Sequence, residues 1–600
     1  MLSDNNKKTF RAMIETRASA ADWAGRTLLV DGETRWTYAQ YRDQALRTGE
    51  FLLRRTRALA PFKRGHVAVL SENRKEYLAL LGGCAYAGLT FFAVNTLLRG
   101  SALAQTLNQS RATVLIVGEE FAAEARAVLD QLQWIDEGAL FVIGDGDEGG
   151  AYRHLLQGTT SEPSAALAEL ARIEVEPADP LVVIYTSGTT GVPKGVLVSQ
   201  GRLCQSAEIT ASNIPIDRDD VSYCCMPLCH SNALLANFMP LFGVGGKVVL
   251  RRRFSASRFI DDILHHGITY WSYVGEPVHY ILNHVESRFA GDEQRIATEL
   301  SRHPDNKLRF TLGNGASAVD IERFIKWFGL THMYEAYGQT ESVIMAFRTA
   351  DTPRGSVGEM HDANVRILAE DGGECPPAQV DEHGRIANYR EAVGELCRID
   401  TDATLFLGYF DNPEATAKKC RDGIYYSGDM AHIALHGGKR YLYFDGRTDN
   451  WIRKDGENFA AEPIGQVISE YPAITRAIAY GVPNIVASDL VMVAMALKEG
   501  VEFDPADFHA WCRQRREAGE LGEKWFPDFV RVVAGFEHTA SNKIQVRSLQ
   551  QAHFDPARLP PSRVYWRQRS DDRFHPLSVA DYELLRTRYA EQERLHLLDA

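Results

Sequence analysis

Tyr185-Thr186-Ser187-Gly188-Thr189-Thr190-Gly191-Val192-Pro193-Lys194-Gly195 lies between two short apolar runs, 181–184 and 196–198. Its glycines let the backbone turn with φ > 0 and let main-chain N–H groups approach an anion closely. The hydroxyls of Thr186, Ser187, Thr189 and Thr190, with the Lys194 ammonium, are the donors a polyphosphate needs. The flanking runs are β-branched, so the stretch reads as strand, loop, strand. A Walker A loop needs Gly, four residues, Gly-Lys and then Ser or Thr opening a helix. Here Gly195 follows the lysine and a strand pattern follows that. The stretch reads as a phosphate cradle of a different kind.

Upstream, helical and strand periodicities alternate. The pattern predicts a helix over 38–55 with Thr37 as N-cap, a strand over 66–70, a helix over 74–87 and a strand over 89–94. A helix over 102–109 and a strand over 112–117 follow. Such alternation implies a largely parallel sheet with helices packed on it. The apolar stretch 78–98 is broken by Gly82, Gly83, Gly88, Thr90 and Asn95, so it reads as buried helix, turn and strand rather than a membrane span. Downstream, a strand over 441–444 leads into Gly446-Arg447-Thr448-Asp449. Beyond it, Pro463 suits the first turn of a helix running to 470, strands fall at 477–481, 490–497 and 530–533, and a helix falls at 505–517. That is enough for a small α+β lobe. An Arg/Asp-rich tail with Tyr565, Trp566 and Tyr582 reads as docked on the body.

A chain of 600 residues exceeds one hydrophobic core, so two or more domains are expected. The net charge of −13 argues against a nucleic-acid binder, and the one tight basic cluster, Arg251-Arg252-Arg253, reads as a solvated face. The N-terminal residues lack the apolar core of a signal peptide. Nine irregularly spaced cysteines suit reduced thiols in a cytoplasmic protein. Cys224, Cys225, Cys229 and His230 cluster, yet no second pair with zinc-finger spacing follows them.

Further motifs carry chemistry. In Tyr334-Glu335-Ala336-Tyr337-Gly338-Gln339-Thr340-Glu341 a flat aromatic can stack on adenine, Gly338 permits a turn, and Glu341 is a hard oxygen ligand suited to Mg²⁺. In Tyr426-Ser427-Gly428-Asp429 one carboxylate can accept both hydroxyls of a ribose. Asn412-Pro413-Glu414 reads as a capped helix start. His230 stands in an apolar run, and Lys543 in the polar loop Thr539-Ala540-Ser541-Asn542-Lys543.

In this chain order, over roughly residues 20–550, the motifs resemble those of the adenylate-forming enzymes: acyl-CoA synthetases, luciferases and peptide-synthetase adenylation domains. The resemblance implies an α/β fold class. A large N-terminal domain over 1–446, of β–α layers with a distorted barrel, binds ATP and the acid. A small mobile α+β C-terminal domain over 447–551 follows, then an extension over 552–600. It further implies that Thr186, Ser187, Gly188, Thr189, Thr190, Gly191 and Lys194 hold the β- and γ-phosphates of ATP. Tyr337, in the motif with Glu335 and Gly338, stacks on adenine, Thr340 contacts the α-phosphate, and Glu341 holds Mg²⁺. Asn314, Gly315 and Ala316 line the other adenine face and the acyl site. Asp429 takes the ribose, Arg447 the ribose or a phosphate, and Asp449 is the hinge. Lys454, Gly456 and Glu457 line the coenzyme A tunnel, His230 gates the carboxylate channel, and Lys543 reaches the carboxylate and α-phosphate as catalytic lysine. Asn542 stands where many members have glycine, and asparagine tolerates the left-handed region.

The segments 268–277, 280–283, 308–309 and 422–430 resemble the fatty-acid-transport-protein and very-long-chain acyl-CoA synthetase branch. A small-residue channel by Gly275 and Gly315 suits an aliphatic or steroid acid. The implied activity is an ATP-dependent acyl-CoA ligase that uses a carboxylic acid, ATP and coenzyme A. Two alternatives are an acyl-AMP ligase loading a carrier protein and a lipid-binding or uptake protein without catalysis. Retention of Lys194, Glu341, Asp429 and Lys543 argues against the second. Peripheral membrane contact and a homodimer stay open.

Overall fold

The computed structural model describes residues 8–599 apart from 63, 145–164, 187–192, 317, 342, 354, 380–385, 402–405, 448–450, 455–456, 486–487, 539–543, 559–561 and 568–570. The chain forms two compact units. One comprises Met1–Thr352, Asp400–Tyr425 and Ala540–Asn542, and the other Pro353–Ile399, Tyr426–Thr539 and Lys543–Ala600. The boundary read from the sequence at 446/447 falls inside the second unit.

In the first unit, local sequence writes the elements plainly. Helix Tyr38–Arg55 opens with a capping box: Gln40 N donates to Thr37 Oγ1 at 3.2 Å, and Thr37 N donates to Gln40 Oε1 at 2.8 Å. Its face of Tyr41, Ala45, Thr48 and Leu52 is buried, with Tyr41 edge-on to Phe238 and Phe242. Helix Lys75–Ala87 stops at Gly88, which adopts φ 63°, and strand Thr90–Ala93 follows.

That strand belongs to a sheet ordered Leu140–Ile143, Val114–Gly118, His66–Leu70, Thr90–Ala93, Pro180–Thr186 and Lys194–Ser199. The first five run parallel and the last pair is antiparallel, so Thr186 and Lys194 end two paired strands at the sheet edge.

The second sheet of this unit runs Met345–Arg348, His332–Gly338, Phe310–Asn314, Tyr270–Val274, Val221–Cys224, Lys247–Leu250, Thr27–Asp31, Thr34–Thr37. It is parallel from the second strand to the seventh and antiparallel at both edges. Open parallel sheets bind ligands beyond the carboxyl ends of their strands. Four adjacent strands end there in the segments holding Glu341, Gly315, Gly275 and His230.

The second unit contains a sheet ordered Gly358–Glu359, Lys439–Arg447, Ile424–His436, Gly394–Arg398, Val365–Leu368, and the hairpin Trp451–Lys454 with Glu457–Ala460. A further sheet runs Ile474–Pro483, Asp489–Leu497, Phe529–Val533, Ser562–Trp566, His575–Pro576, with helices Glu462–Ser469 and Pro505–Glu517. The last two strands come from the tail, and helix Val579–Glu591 adds Tyr582, Leu585 and Tyr589 to a core with Met492, Phe529 and Phe554. The tail is thus part of this unit's own sheet and core.

Among the described residues no helix is long and apolar enough to cross a membrane.

Candidate active site

The strand ends of the eight-stranded sheet are packed backbone to backbone. A Cβ on Gly275 would lie 1.9 Å from the Gly315 carbonyl oxygen, and Gly315 itself adopts φ +79°. Only glycine at 275 lets the two turns meet. Next to them, the π-helix Asn232–Phe238 projects a polar ladder into the sheet. Asn232 Nδ2 donates to the Tyr273 carbonyl at 3.0 Å, and Ser272 Oγ donates to Asn232 Oδ1 at 3.1 Å. Asn237 Nδ2 donates to Ser272 Oγ at 3.0 Å, and Ser222 Oγ donates to Asn237 Oδ1 at 2.8 Å. These bonds fix the segment carrying His230, which is half-buried in a turn whose N–H donates to the Pro227 carbonyl at 3.0 Å. Ser231 Oγ lies 3.5 Å from Thr340 Oγ1, which joins this segment to the one carrying Glu341.

Strand His332–Gly338 places Glu335 and Tyr337 two apart on one side. Arg348 Nη1 lies 2.6 Å from Glu335 Oε2. Burial pushes the Glu335 carboxyl up, and the Arg348 guanidinium opposes that shift. Glu335 therefore ties two strands of its own sheet together. Tyr337 is buried, and Gln339 Oε1 accepts from Tyr425 Oη at 2.8 Å.

At the other sheet, Thr186 and Lys194 face each other across the hairpin, Thr186 Oγ1 donating to the Lys194 carbonyl at 3.3 Å. Residues 187–191, expected on the phosphates, lie outside the described residues. Lys194 Nζ sits 5.6 Å from the centroid of the Tyr409 ring. The Tyr409 hydroxyl donates to Glu341 Oε1 at 2.5 Å. One side chain thus joins the exit of the hairpin to the carboxylate read as the metal ligand. Sequence reasoning did not single out Tyr409. Its signal is weak: a tyrosine after Gly408, just ahead of the helix capped by Asn412.

In the second unit, Asp429 is buried and pairs in register with Arg447. Gly428, at φ 71°, donates its N–H to Glu395 Oε1 at 2.8 Å, and Asp429 N donates to Ser427 Oγ at 3.0 Å. Lys454 is buried in an ion pair with Asp528, whose Oδ2 also accepts from Val491 N at 2.8 Å. Its ammonium braces the hairpin 451–460 against the neighbouring sheet. Glu457 lies on the return strand of that hairpin. Asp449, Gly456 and Lys543 lie outside the described residues, as do the side chains of Arg447 and Glu457.

The first unit therefore gathers an ammonium, hydroxyls and a fixed carboxylate at the ends of two sheets. Such a set suits a triphosphate with a hard divalent cation. It is the arrangement of a nucleotide-using enzyme. The comparisons agree: residues 16–410 match the model of the AMP-binding enzyme family, and the chain belongs to that family. It is 31% identical over 535 residues to the steroid-22-oyl-CoA synthetase of Rhodococcus jostii (strain RHA1), covering 89% of this chain and 90% of that protein. It is 34% identical over 495 residues to the medium/long-chain-fatty-acid–CoA ligase FadD17 of Mycobacterium tuberculosis, covering 82% and 87%. The solved anthranilate CoA ligase AuaEII, in complex with anthranoyl-AMP, matches with a TM-score of 0.75 at 19% identity, covering 91% of this chain and 97% of that one. That likeness establishes the adenylate-forming enzyme fold.

Proposed function

We propose that this chain is an AMP-forming acyl-CoA ligase acting on an aliphatic or steroid acid. The observation that carries the reading is the junction of Lys194 and Glu341 through Tyr409, at strand ends that also carry Thr186 and Thr340. Two relatives whose names specify steroid and medium- or long-chain fatty acids support the substrate class.

In the first half-reaction an oxygen of the acid's carboxylate attacks the α-phosphorus of ATP. The acyl–phosphate bond forms, the α–β bond breaks and pyrophosphate leaves. Both reactants are anions, so their approach needs charge neutralisation. Lys194 and the 186–194 hairpin hold the β- and γ-phosphates, Thr340 the α-phosphate, and Tyr337 and Asp429 the nucleoside. Lys543 meets the carboxylate and α-phosphate. Glu341 would hold Mg²⁺, which when bound supplies further positive charge at the phosphates. In the second half-reaction the coenzyme A thiolate attacks the acyl carbonyl, and AMP leaves with the oxygen it gained from the acid. In this reading Asp449 is the hinge, Lys543 serves the first half-reaction, and Gly456 and Glu457 serve the coenzyme A thiol in the second. In this reading the mobile part is 447–551 with its extension 552–600. His230 gates the carboxylate, and the cytoplasm supplies ATP and coenzyme A.

The test is a panel of short, medium, long, aromatic and steroid acids with ATP, Mg²⁺ and coenzyme A. The expected result is AMP and acyl-CoA in equal amounts with at least one aliphatic or steroid acid. AMP release that depends on a carrier-protein thiol instead would contradict it, as would no AMP with any acid. Lys543→Ala is expected to lower acid-dependent pyrophosphate exchange by about 100-fold or more, and thioesterification of preformed acyl-AMP far less. Equal losses in both would reject the two-state scheme.

A further inference from the structure

We infer that Tyr409 is a positioning residue of the phosphate end of this site, and that its hydroxyl sets how tightly Glu341 takes a divalent cation. The inference rests on the ligase reading above.

The backbone of Tyr409 is held from several directions. It forms an antiparallel bridge with Val196, on the outgoing strand of the hairpin. On either side, Leu197 N donates to the Gly408 carbonyl at 3.2 Å and Phe410 N donates to the Gly195 carbonyl at 2.8 Å. Tyr409 N donates to Thr416 Oγ1 at 2.9 Å, and Thr416 Oγ1 donates to the Asn412 carbonyl at 2.9 Å. Gly408 takes φ +92°, and a Cβ there would lie 2.7 Å from Thr416 Cγ2. Phe410 is buried against Phe62 and Phe92, with ring centroids 5.1 and 4.8 Å apart, and Asp411 is ion-paired to Arg111 at 2.7 Å. One bridge and its two flanking hydrogen bonds thus tie the backbone of this segment to the outgoing strand Lys194–Ser199.

The tip of that ring reaches the other sheet. Its hydroxyl donates to one oxygen of Glu341, which fixes the carboxylate plane and leaves a second oxygen able to take a cation. Partners that orient a metal-binding carboxylate change metal affinity by roughly 10–100-fold when removed. Its face gives the Lys194 ammonium a neutral resting surface that a phosphate outcompetes. The same side chain therefore sets the spacing between the phosphate-binding lysine and the metal-binding carboxylate.

The test uses the full chain and a non-hydrolysable ATP analogue, with binding measured by calorimetry at rising free Mg²⁺. Tyr409→Phe is expected to need about tenfold more free Mg²⁺ for half-maximal binding, with its melting midpoint in EDTA unchanged. In turnover its deficit is expected to shrink as Mg²⁺ rises. Tyr409→Leu, which removes the ring as well, is expected to weaken analogue binding even at saturating Mg²⁺. An identical Mg²⁺ midpoint for wild type and Tyr409→Phe would overturn the inference and leave the ligase reading intact. A wild-type chain that binds no analogue at any Mg²⁺ concentration would overturn the ligase reading first, and this one with it.

Discussion

At the scale of single residues, Gly275 and His66 show how closely the first unit is packed. The Gly275 hydrogen occupies the only space between its own strand end and the Gly315 carbonyl. Gly275→Ala must push two backbone turns apart, and overpacking of this kind costs about 1–3 kcal/mol. A lower thermal midpoint together with loss of acid-dependent AMP formation is expected, and unchanged values for both would contradict the close approach. His66 lies 4.7, 5.0 and 5.3 Å from the rings of Phe62, Phe92 and Phe410, its Nδ1 2.8 Å from the Ser110 carbonyl. Burial pushes its pKa down, while the Ser110 carbonyl opposes that shift. The unfolded chain then binds a proton that the folded one refuses, so stability is present above the ordinary histidine value of about 6.5 and falls as pH drops through it. Melting midpoints taken at about pH 7.5 and pH 5.5 are expected to differ less for His66→Gln than for wild type. Legibility at this scale divides by distance. Thr186, Lys194 and Glu341 announce themselves because each sits in a local motif. Tyr409 does not, because its meaning comes from a carboxylate 68 positions away.

At the scale of elements, local chemistry and local structure agree. The helix over 38–55 lies where periodicity and its N-cap Thr37 put it, and the helix over 505–517 lies where its pattern put it, with Asp504 as the N-cap that the structure adds. Gly88 divides helix from strand as its left-handed conformation requires. Thr37→Ala removes half of the capping box and is expected to cost about 1 kcal/mol, read as a lower denaturation midpoint. A Thr37→Asp replacement keeps an acceptor and is expected to restore most of it. The tail elements were not legible in the same way. Strand Ser562–Trp566 carries Arg563 beside Tyr565 and Trp566 and is followed by Arg567, so its few apolar residues resemble an exposed segment until its partner strand Phe529–Val533 is known. The register of that pairing is long-range information that no local window contains.

At the scale of the whole molecule, the second unit depends on its last fifty or so residues. Arg531 is fully buried, and its guanidinium donates to the carbonyls of His553, Asp555 and Arg558 at 2.5, 2.9 and 2.7 Å. Phe554 stacks on Phe529 with centroids 4.4 Å apart. A chain ending at residue 551 would leave a buried cation without these acceptors and an open sheet edge. It is expected to lose the cooperative melting of this unit or to aggregate, and full retention of both stability and acyl-CoA formation would contradict the assignment. The central claim remains chemical: an acid's own oxygen becomes part of AMP. It is tested most directly by turnover with an acid labelled with ¹⁸O in its carboxylate, followed by mass spectrometry of the products. One labelled oxygen in the phosphate of AMP, with unlabelled pyrophosphate, is the outcome this account requires. Label in pyrophosphate or inorganic phosphate, or unlabelled AMP, would contradict it.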